Sequence, residues 1–238
     1  MQLLRSTGFN IIMFGSCTLL SLYCALVARF QPGGIVKVAK LWGRICLWGL
    51  RTCCGITLDV KGREHLPQGG AVIAAQHQSA LDILIWLTIA ERPVFVFKQE
   101  LKRIPVFGSL LEASGMIPVN RGGGAAALRD MVAGAAQAVA AGGQLVIFPE
   151  GTRVPYGRHG QIRNGVVALT QAVTVPVLPA ATDTGMRWGR KSFAKTPGPV
   201  HVTIHPALPP GLSRDNIVTR LETIFYAETP AEDAEAAH

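Results

Sequence analysis

A chain of 238 residues is long enough for one or two domains with a sizeable core. It has 23 Lys and Arg against 15 Asp and Glu, a net charge of +8, although nearly half of its residues are hydrophobic. This composition favours an anionic membrane surface or phosphorylated substrates over nucleic acid, since no basic run is interleaved with aromatic residues. All five cysteines lie in the first quarter of the chain without disulfide or zinc spacing, which predicts a reducing compartment and no metal site.

The first segment, residues 1–56, is predicted to be a membrane anchor followed by an amphipathic helix. No charged residue lies between Arg5 and Arg29, and at about 1.5 Å per residue this run can cross, or lie deep in, a bilayer core of roughly 30 Å. A retained anchor is favoured over a cleaved signal peptide because the run is long and lacks a small-x-small cleavage site. If the segment spans the membrane, the cations that follow it place the remaining chain on the cytoplasmic face.

The second predicted helix runs from Gly34 to Thr52. Its cations recur at spacings of three, four and seven, which puts them along one face beside tryptophans. Such a helix suits the headgroup layer of a membrane, and a helix packed on the soluble domain with a solvated basic edge is the alternative. The cations are Lys37, Lys40, Arg44 and Arg51.

Residues 57–228 alternate apolar strand candidates with helix candidates. Continuous apolar strands separated by helices indicate an α/β fold, a largely parallel sheet of about seven strands covered by helices. The tail, residues 229–238, is acidic, Ala-rich and predicted to be disordered. The strands are predicted at Leu58–Gly62, Ala71–Ala75, Val94–Phe97, Met116–Val119, Gln144–Phe148, Val175–Ala181 and Val200–His205, and the helices at Ser79–Ala90, Ala125–Ala141, Arg163–Val173 and Ser213–Ala227.

The stretch Gln76–Asp82 places a histidine five residues before an aspartate, between an apolar strand and an apolar helix. Ser79 and Asp82 have the spacing of a capping box, so the helix is predicted to begin at Ser79 and His77 to fold back onto the Asp82 carboxylate. A carboxylate bound to one imidazole nitrogen fixes the tautomer and leaves the other nitrogen free as a base. By spacing alone, a helix cap and a turn histidine are the alternative.

The stretch Phe148–Arg153 follows another apolar strand and reads Phe-Pro-Glu-Gly-Thr-Arg. Its proline and glycine are explained by a type I turn over Phe148–Gly151, which leaves Glu150 and Arg153 without a structural reason. Because the carboxyl ends of parallel strands line one crevice, this turn and His77 are predicted to face the same crevice.

Two further strand candidates carry notable residues. Met116–Val119 leads to Arg121, whose planar guanidinium suits bidentate phosphate binding, with an ordinary surface arginine as the alternative. The three glycines after Arg121 lack the Lys-Ser/Thr ending of a P-loop and predict a flexible helix entry. Val175–Ala180 contains two prolines, so at least part of it is predicted to be an edge or a strand end.

A basic loop follows the proline-containing strand, and membrane headgroups, carrier phosphates or simple solvation could each account for it. His201 and His205 are predicted to be surface or edge residues. No Gly-x-Ser-x-Gly elbow occurs, which counts against a serine hydrolase. The cations of the basic loop are Arg187, Arg190, Lys191 and Lys195.

Four of the stretches described above, taken in chain order, resemble the motifs of the glycerolipid acyltransferases, most closely the bacterial 1-acylglycerol-3-phosphate acyltransferases. They are Gln76–Asp82, Met116–Arg121, Phe148–Arg153 and Val175–Ala180. That family shows a His-x4-Asp block, a block ending in Arg, a Phe-Pro-Glu-Gly-Thr-Arg block and a proline-containing apolar strand. The resemblance covers residues 57–228 and includes the Lys-Gln-Glu-Leu run that begins at Lys98. Pro118, Asn120 and Val154 depart from the family's more usual residues.

The resemblance implies that His77 is the general base and Asp82 its orienting partner. It implies acyl transfer from acyl-CoA or an acyl carrier protein to the sn-2 hydroxyl of lysophosphatidate, giving phosphatidic acid without a cofactor or acyl-enzyme. Backbone amides near Ser79 are the candidate oxyanion donors. Another acceptor, glycerol 3-phosphate or a lyso-ornithine lipid, and an inactive membrane-binding homologue are the alternatives. The implied substrate-binding residues are Arg121, Glu150, Gly151, Thr152, Arg153 and Lys98.

Overall fold

The computed structural model describes residues 1–27, 34–104, 107–120 and 122–227. Arg121 and the predicted tail, residues 229–238, lie outside the described residues, as does Arg29. The helices are α1 (Gln2–Val27), α2 (Gly34–Gly49), α3 (Leu81–Ile89), α4 (Phe107–Ala113), α5 (Gly124–Ala140), α6 (Asn164–Ala172), α7 (Thr184–Arg187) and α8 (Arg214–Tyr226). The strands are β1 (Ile56–Lys61), β2 (Ala71–Ala75), β3 (Pro93–Lys98), β4 (Ile117–Val119), β5 (Gln144–Ile147), β6 (Val177–Thr182) and β7 (Gly198–Ile204).

The seven strands form one sheet in the order β1-β7-β6-β2-β5-β3-β4. Every neighbouring pair is parallel except β6 and β7, which confirms the prediction of an α/β fold with a largely parallel sheet. The central strands β2 and β5 are buried along their whole length, which fits their largely apolar sequences. The division between an anchor, residues 1–56, and a domain, residues 57–228, stays a prediction.

The sheet separates two hydrophobic cores, because alternate residues of β2 point to opposite faces. Ile73 packs in the core that also contains side chains of α1, α2 and α3. Val72 packs in the core formed with α5, α6 and α8. The first core brings the two N-terminal helices to the same face as α3, the helix that follows His77.

Strand β6 is an interior strand, so the edge predicted for this stretch is absent, whereas the strand end predicted as the alternative holds for Pro176. Pro176 precedes the strand, so it removes no donor from within it. Pro179 pairs with Ala74 of β2 on one side, while the antiparallel ladder to β7 begins one residue later, at Ala180. The two prolines therefore fall where the ladder to β7 does not require their missing N–H groups.

Helix α3 begins at Leu81, two residues later than predicted, and Lys40 of α2 binds its other end. The Lys40 Nζ donates to the carbonyl oxygens of Ala90 at 2.7 Å and Glu91 at 3.1 Å. Cations at a helix C-terminus satisfy free carbonyls and the helix dipole. Lys40 is consequently not part of the exposed basic stripe, which the structure limits to Lys37, Arg44 and Arg51.

Helix α1 docks its first third onto the loop between α7 and β7. Phe9 is fully buried and packs edge-on against Trp188, with 5.4 Å between the ring centroids. Lys195 is only 2% exposed and its Nζ donates to Asn10 Oδ1 at 2.7 Å. The same Nζ lies 4.6 Å from the centre of the Trp188 ring, and the Lys195 N–H donates to Ser6 Oγ. Lys195 is thus a buried residue that connects α1 to the sheet domain. It is not the solvated or headgroup-binding residue considered from sequence.

Much of the remaining surface of α1 is apolar and exposed. Residues 2–26 form a helix that is long and apolar enough to cross a membrane by length and composition, with a mean hydropathy of 1.7 over an 18-residue window. Large unpartnered apolar surfaces of this kind mark membrane or protein contacts. The helix therefore indicates association with a membrane. Its exposed large apolar residues are Leu3, Leu4, Ile11, Phe14, Leu19, Leu22, Tyr23 and Leu26.

Candidate active site

His77 and the buried Asp82 form a hydrogen-bonded pair just after the carboxyl end of β2. The Nδ1 atom of His77 lies 2.9 Å from Asp82 Oδ2, and their side chains are 12% and 1% exposed. In the described part of the chain, no hydrogen-bond partner occupies the Nε2 atom of His77. One ring nitrogen is therefore fixed by a carboxylate while the other remains available to a substrate.

Asp82 is held by four donors. Its Oδ2 accepts the N–H groups of Gln78 and Ser79, both at 2.8 Å, in addition to the imidazole. Its Oδ1 accepts the hydroxyl of Thr184, at the start of α7. Multiple donors stabilise the carboxylate form and fix its orientation. Thr184 was not predicted as a site residue. The sequence shows only that it follows a strand candidate, and the structure shows that this strand, β6, is the parallel neighbour of β2.

Three of the amides near Ser79 donate hydrogen bonds within this turn. Gln78 and Ser79 donate to Asp82, and the Leu81 N–H donates to Ser79 Oγ at 3.1 Å. The reach of Asp82 back to the Ser79 N–H is the bond of a capping box, so part of the predicted cap is present. These three amides are engaged within the turn, and the assignment of oxyanion donors among the amides near Ser79 stays a prediction.

The turn after β5 packs directly against His77. The Phe148 ring stacks on the imidazole with 3.9 Å between centroids and an angle of 14° between the planes. The Gly151 N–H donates to the Phe148 carbonyl at 3.0 Å, as in the predicted turn, and the Val154 N–H donates to the His77 carbonyl at 2.7 Å. The stretch Phe148–Arg153 and the histidine are thus parts of one rigid arrangement, as predicted from their places at strand ends.

Glu150 points inward. It is 2% exposed, and its Oε1 accepts the backbone N–H of His77 at 3.3 Å. Among the described residues its Oε2 has no hydrogen-bond partner although it is buried. Burial, together with the nearby Asp82 carboxylate, raises the pKa of Glu150 to about 8. The side chain is therefore largely protonated at neutral pH and can donate as well as accept a hydrogen bond.

A single large cavity collects most of the predicted site residues. Its volume is about 1070 Å³, and His77 lies in its wall, with Asp82 buried behind the histidine. The predicted residues that line it are His77, Lys98, Glu150, Gly151, Thr152 and Arg153. Lys98 is half exposed and pairs with Glu100 at 3.2 Å, so it is a weakly held cation at the rim.

The cavity also has cations that were not assigned to the site from sequence. Arg163 precedes α6, and its backbone N–H donates to the Pro149 carbonyl at 2.9 Å, which fixes it beside the turn. Arg190 and Lys191 of the basic loop line the cavity as well. Arg163 follows the Glu150 turn closely in sequence, whereas Arg190 and Lys191 reach the cavity only through the fold.

Apolar residues of both N-terminal helices complete the cavity wall. α1 contributes Cys17, Leu20 and Cys24, and α2 contributes residues that include Val38 and Trp42. The cavity therefore combines polar groups, among them His77 and Glu150, with apolar lining from the two N-terminal helices. Such a combination fits a ligand with a charged head and a hydrocarbon chain.

Residues 57–183 match the family model described as Acyltransferase. These residues contain the His77–Asp82 pair and the Phe148–Arg153 turn, and they end at Asp183, one residue before Thr184. The match covers more than half of the chain. The chain therefore belongs to the acyltransferase family.

Its relatives indicate a particular branch of that family. The chain is 31% identical over 210 residues to the 1-acyl-sn-glycerol-3-phosphate acyltransferase of Pseudomonas aeruginosa, covering 87% of this chain and 81% of the relative. It is 29% identical to the Borreliella burgdorferi protein of the same name, over 76% of each chain. Identity to the chloroplastic LPAT1 of Arabidopsis thaliana is 30%, over 71% of this chain but only 47% of that protein.

One solved structure shares the fold over nearly the whole molecule. The crystal structure of the 1-acyl-sn-glycerophosphate acyltransferase from Thermotoga maritima aligns with a TM-score of 0.64, covering 98% of this chain and 100% of that one. The sequence identity is 22%, so this likeness concerns the fold. The fold includes the N-terminal helices as well as the sheet.

Proposed function

We propose that this protein transfers an acyl group from an acyl thioester to the sn-2 hydroxyl of lysophosphatidate, which yields phosphatidic acid. The observation that carries the proposal is the His77–Asp82 pair, with His77 in the wall of a cavity that also has apolar lining residues from both N-terminal helices. The proposed acceptor has matching parts, a phosphate, a free hydroxyl and an acyl chain. The proposed donor is acyl-CoA or an acyl carrier protein, and no other cofactor takes part.

His77 acts as the general base in this proposal. Its Nε2 removes the hydroxyl proton as the acceptor oxygen attacks the thioester carbonyl, and the imidazolium that forms is stabilised by Asp82. The tetrahedral intermediate collapses by breaking the carbon–sulfur bond, and the imidazolium returns the proton to the leaving thiolate. Phe148, stacked on the ring, restricts rotation of the imidazole during both transfers.

Arg153 and Arg163 bind the phosphate of the acceptor. Arg153 is only partly buried, and in the described part of the chain no carboxylate pairs with either guanidinium. Both arginines are attached to the turn that packs on His77, so a phosphate bound there holds the nearby hydroxyl close to the base. Fixing the acceptor in this way converts a dilute encounter into an oriented one.

We further propose that α1 lies in the membrane along the sheet domain, which faces the cytoplasm. Phe9 and Asn10 contact the domain near one end of the helix, and Cys17 and Cys24 line its cavity nearer the other end. A helix with such contacts has one face for the domain and one apolar face for lipid. Resistance to carbonate extraction tests the embedding, and protection of the carboxyl terminus from protease in sealed vesicles tests the side.

The deciding assay uses detergent-solubilised full-length protein with labelled acyl-CoA or acyl carrier protein and a panel of acceptors. We expect acylation of lysophosphatidate by the wild type and only a small residual rate with His77→Ala. Preferred acylation of glycerol 3-phosphate or lyso-ornithine lipid would replace the acceptor assignment. Wild-type turnover in a folded His77→Ala protein would overturn the general-base role.

A further inference from the structure

The tight turn Gly189–Ser192, between α7 and β7, presents two cations to the cavity. The Ser192 N–H donates to the Gly189 carbonyl at 3.1 Å, so Arg190 and Lys191 occupy the two central positions. Both side chains are exposed and line the cavity that contains His77. In the described part of the chain neither one has a hydrogen-bond or ion-pair partner.

The backbone at Lys191 is unfavourable for a lysine. Its φ is +58°, and it is the only non-glycine residue with a positive φ in the described part of the chain. A turn with a positive φ at its third residue strongly prefers glycine there, because a Cβ atom is strained in this conformation. Strain of this kind is retained where the side chain has a use.

The rest of the loop is rigid and holds this turn in place. The Trp188 indole N–H donates to the Ser192 carbonyl at 3.1 Å, while its ring packs on Phe9 of α1. Arg187 donates to the Pro199 carbonyl, and the buried Lys195 ties the loop to α1. Of the four cations in the loop, two have structural partners and two are left for a ligand.

We propose that Arg190 and Lys191 bind a phosphate of the acyl donor, namely the phosphorylated pantetheine that acyl-CoA and acyl carrier proteins share, or the nucleotide phosphates of CoA. This inference rests on the proposed function, in which two phosphorylated substrates meet at one histidine. Arg153 and Arg163 are attached to the turn that packs on His77, whereas Arg190 and Lys191 belong to a loop anchored on α1. Each substrate phosphate therefore has its own pair of cations.

Steady-state kinetics with three donors that share one acyl chain test the proposal: acyl-CoA, acyl-4′-phosphopantetheine and acyl-pantetheine. For Arg190→Gln/Lys191→Gln we expect the KM for acyl-CoA to rise about tenfold or more, with the KM for the acceptor unchanged. An equal defect with acyl-4′-phosphopantetheine assigns the pantetheine phosphate, and a defect with acyl-CoA alone assigns the nucleotide phosphates. The defect should be absent with acyl-pantetheine, which carries no phosphate.

Two further variants separate ligand binding from folding. Arg129→Gln/Arg220→Gln removes the same charge from exposed positions on α5 and α8 and should leave the donor KM unchanged. Lys191→Gly relieves the strained backbone, so it should keep or raise the Tm while it weakens donor binding. A defect of the same size with acyl-pantetheine, a rise confined to the acceptor KM, or no change in either KM would overturn the proposal.

Binding of a non-hydrolysable thioether analogue of acyl-CoA gives a readout that needs no turnover. We expect weaker binding by the Arg190→Gln/Lys191→Gln variant than by the wild type and the charge-matched control. Equal binding by all three would contradict the donor site. A wild type that binds the analogue but acylates no acceptor would instead contradict the proposed function.

Discussion

The Thr184 hydroxyl donates to Asp82 Oδ1 across 102 positions of sequence, and it is the only side chain besides His77 that bonds this carboxylate in the described structure. The contact joins the ends of β2 and β6. It fixes the face of Asp82 that the imidazole does not reach. Thr184 is therefore a positioning residue for the His77–Asp82 pair.

Replacing Thr184 by valine should lower kcat about tenfold or more and leave both KM values within about twofold. Valine has the shape of threonine but leaves one oxygen of a buried carboxylate unsatisfied, and hydrogen bonds to charged groups contribute about 1.5–3 kcal/mol. Initial rates at saturating donor and acceptor measure the effect. Thr184→Ser retains the hydroxyl and should restore most of the activity, whereas a serine variant as slow as the valine variant would contradict this role.

Asp82→Asn should keep the fold and reduce kcat by about 10²–10⁴. The amide oxygen can still accept the N–H groups of Gln78 and Ser79, but the neutral side chain cannot stabilise an imidazolium. The test is a cycle with His77→Ala, since two residues that act as a unit are not additive. A double variant much slower than His77→Ala alone would show that the aspartate acts independently.

The buried Glu150 should make stability fall as pH rises. Its pKa is raised from an ordinary value near 4.5 to about 8, so between these values the folded protein retains a proton that the unfolded chain has lost. Stability is therefore expected to decline across this window and level off above about pH 8. The full effect is on the order of a few kcal/mol.

Glu150→Gln removes the ionisation and should flatten this pH dependence. Measurement of Tm from pH 5 to about pH 9 should show the variant gaining on the wild type as pH rises. Glu222→Gln, an exposed carboxyl on α8, is the matched control and should follow the wild type. A glutamine variant whose Tm runs parallel to the wild type throughout would mean that Glu150 does not carry the effect.

Lys195→Ala should loosen α1 from the sheet domain. The change deletes the ammonium group that lies over the Phe9 and Trp188 rings and leaves the Asn10 amide oxygen without its donor. Burial of the amine also lowers the pKa of Lys195, because the charged form loses hydration. We expect a lower Tm and faster proteolysis within α1. Lys191→Ala, an exposed lysine of the same loop, should change neither.

The contact between His77 and Asp82 could be predicted from sequence because its geometry is local. His77 and Asp82 are joined by one helix start, and the capping pattern that brings Asp82 back to Ser79 also presents it to the imidazole. The turn at Phe148 was predictable for a similar reason, since proline and glycine specify it without help from distant residues. The alternation of apolar strands and helices likewise determined the α/β class.

Residues whose roles depend on the tertiary structure were missed or misjudged. Lys40 and Lys195 look like surface cations in sequence, yet one binds the end of α3 and the other lies between aromatic rings. Nothing within a few residues of either reveals its partner. The same holds for Thr184, whose partner Asp82 lies on another strand connection. Pro179 misled in the opposite way, because the chain places it where an interior strand needs no N–H.

The docking of α1 has a practical consequence for anyone who wants a water-soluble version of this protein. Deleting the helix would expose the surface that Phe9 covers and remove one wall of the cavity. It would also leave the buried Lys195 amine without its acceptor, Asn10. Exchanging it for another apolar helix would lose the same fit. A soluble variant should instead keep the inward residues of α1 and replace only its outward residues with polar ones. Leu4, Ile11 and Leu19 are among these outward residues.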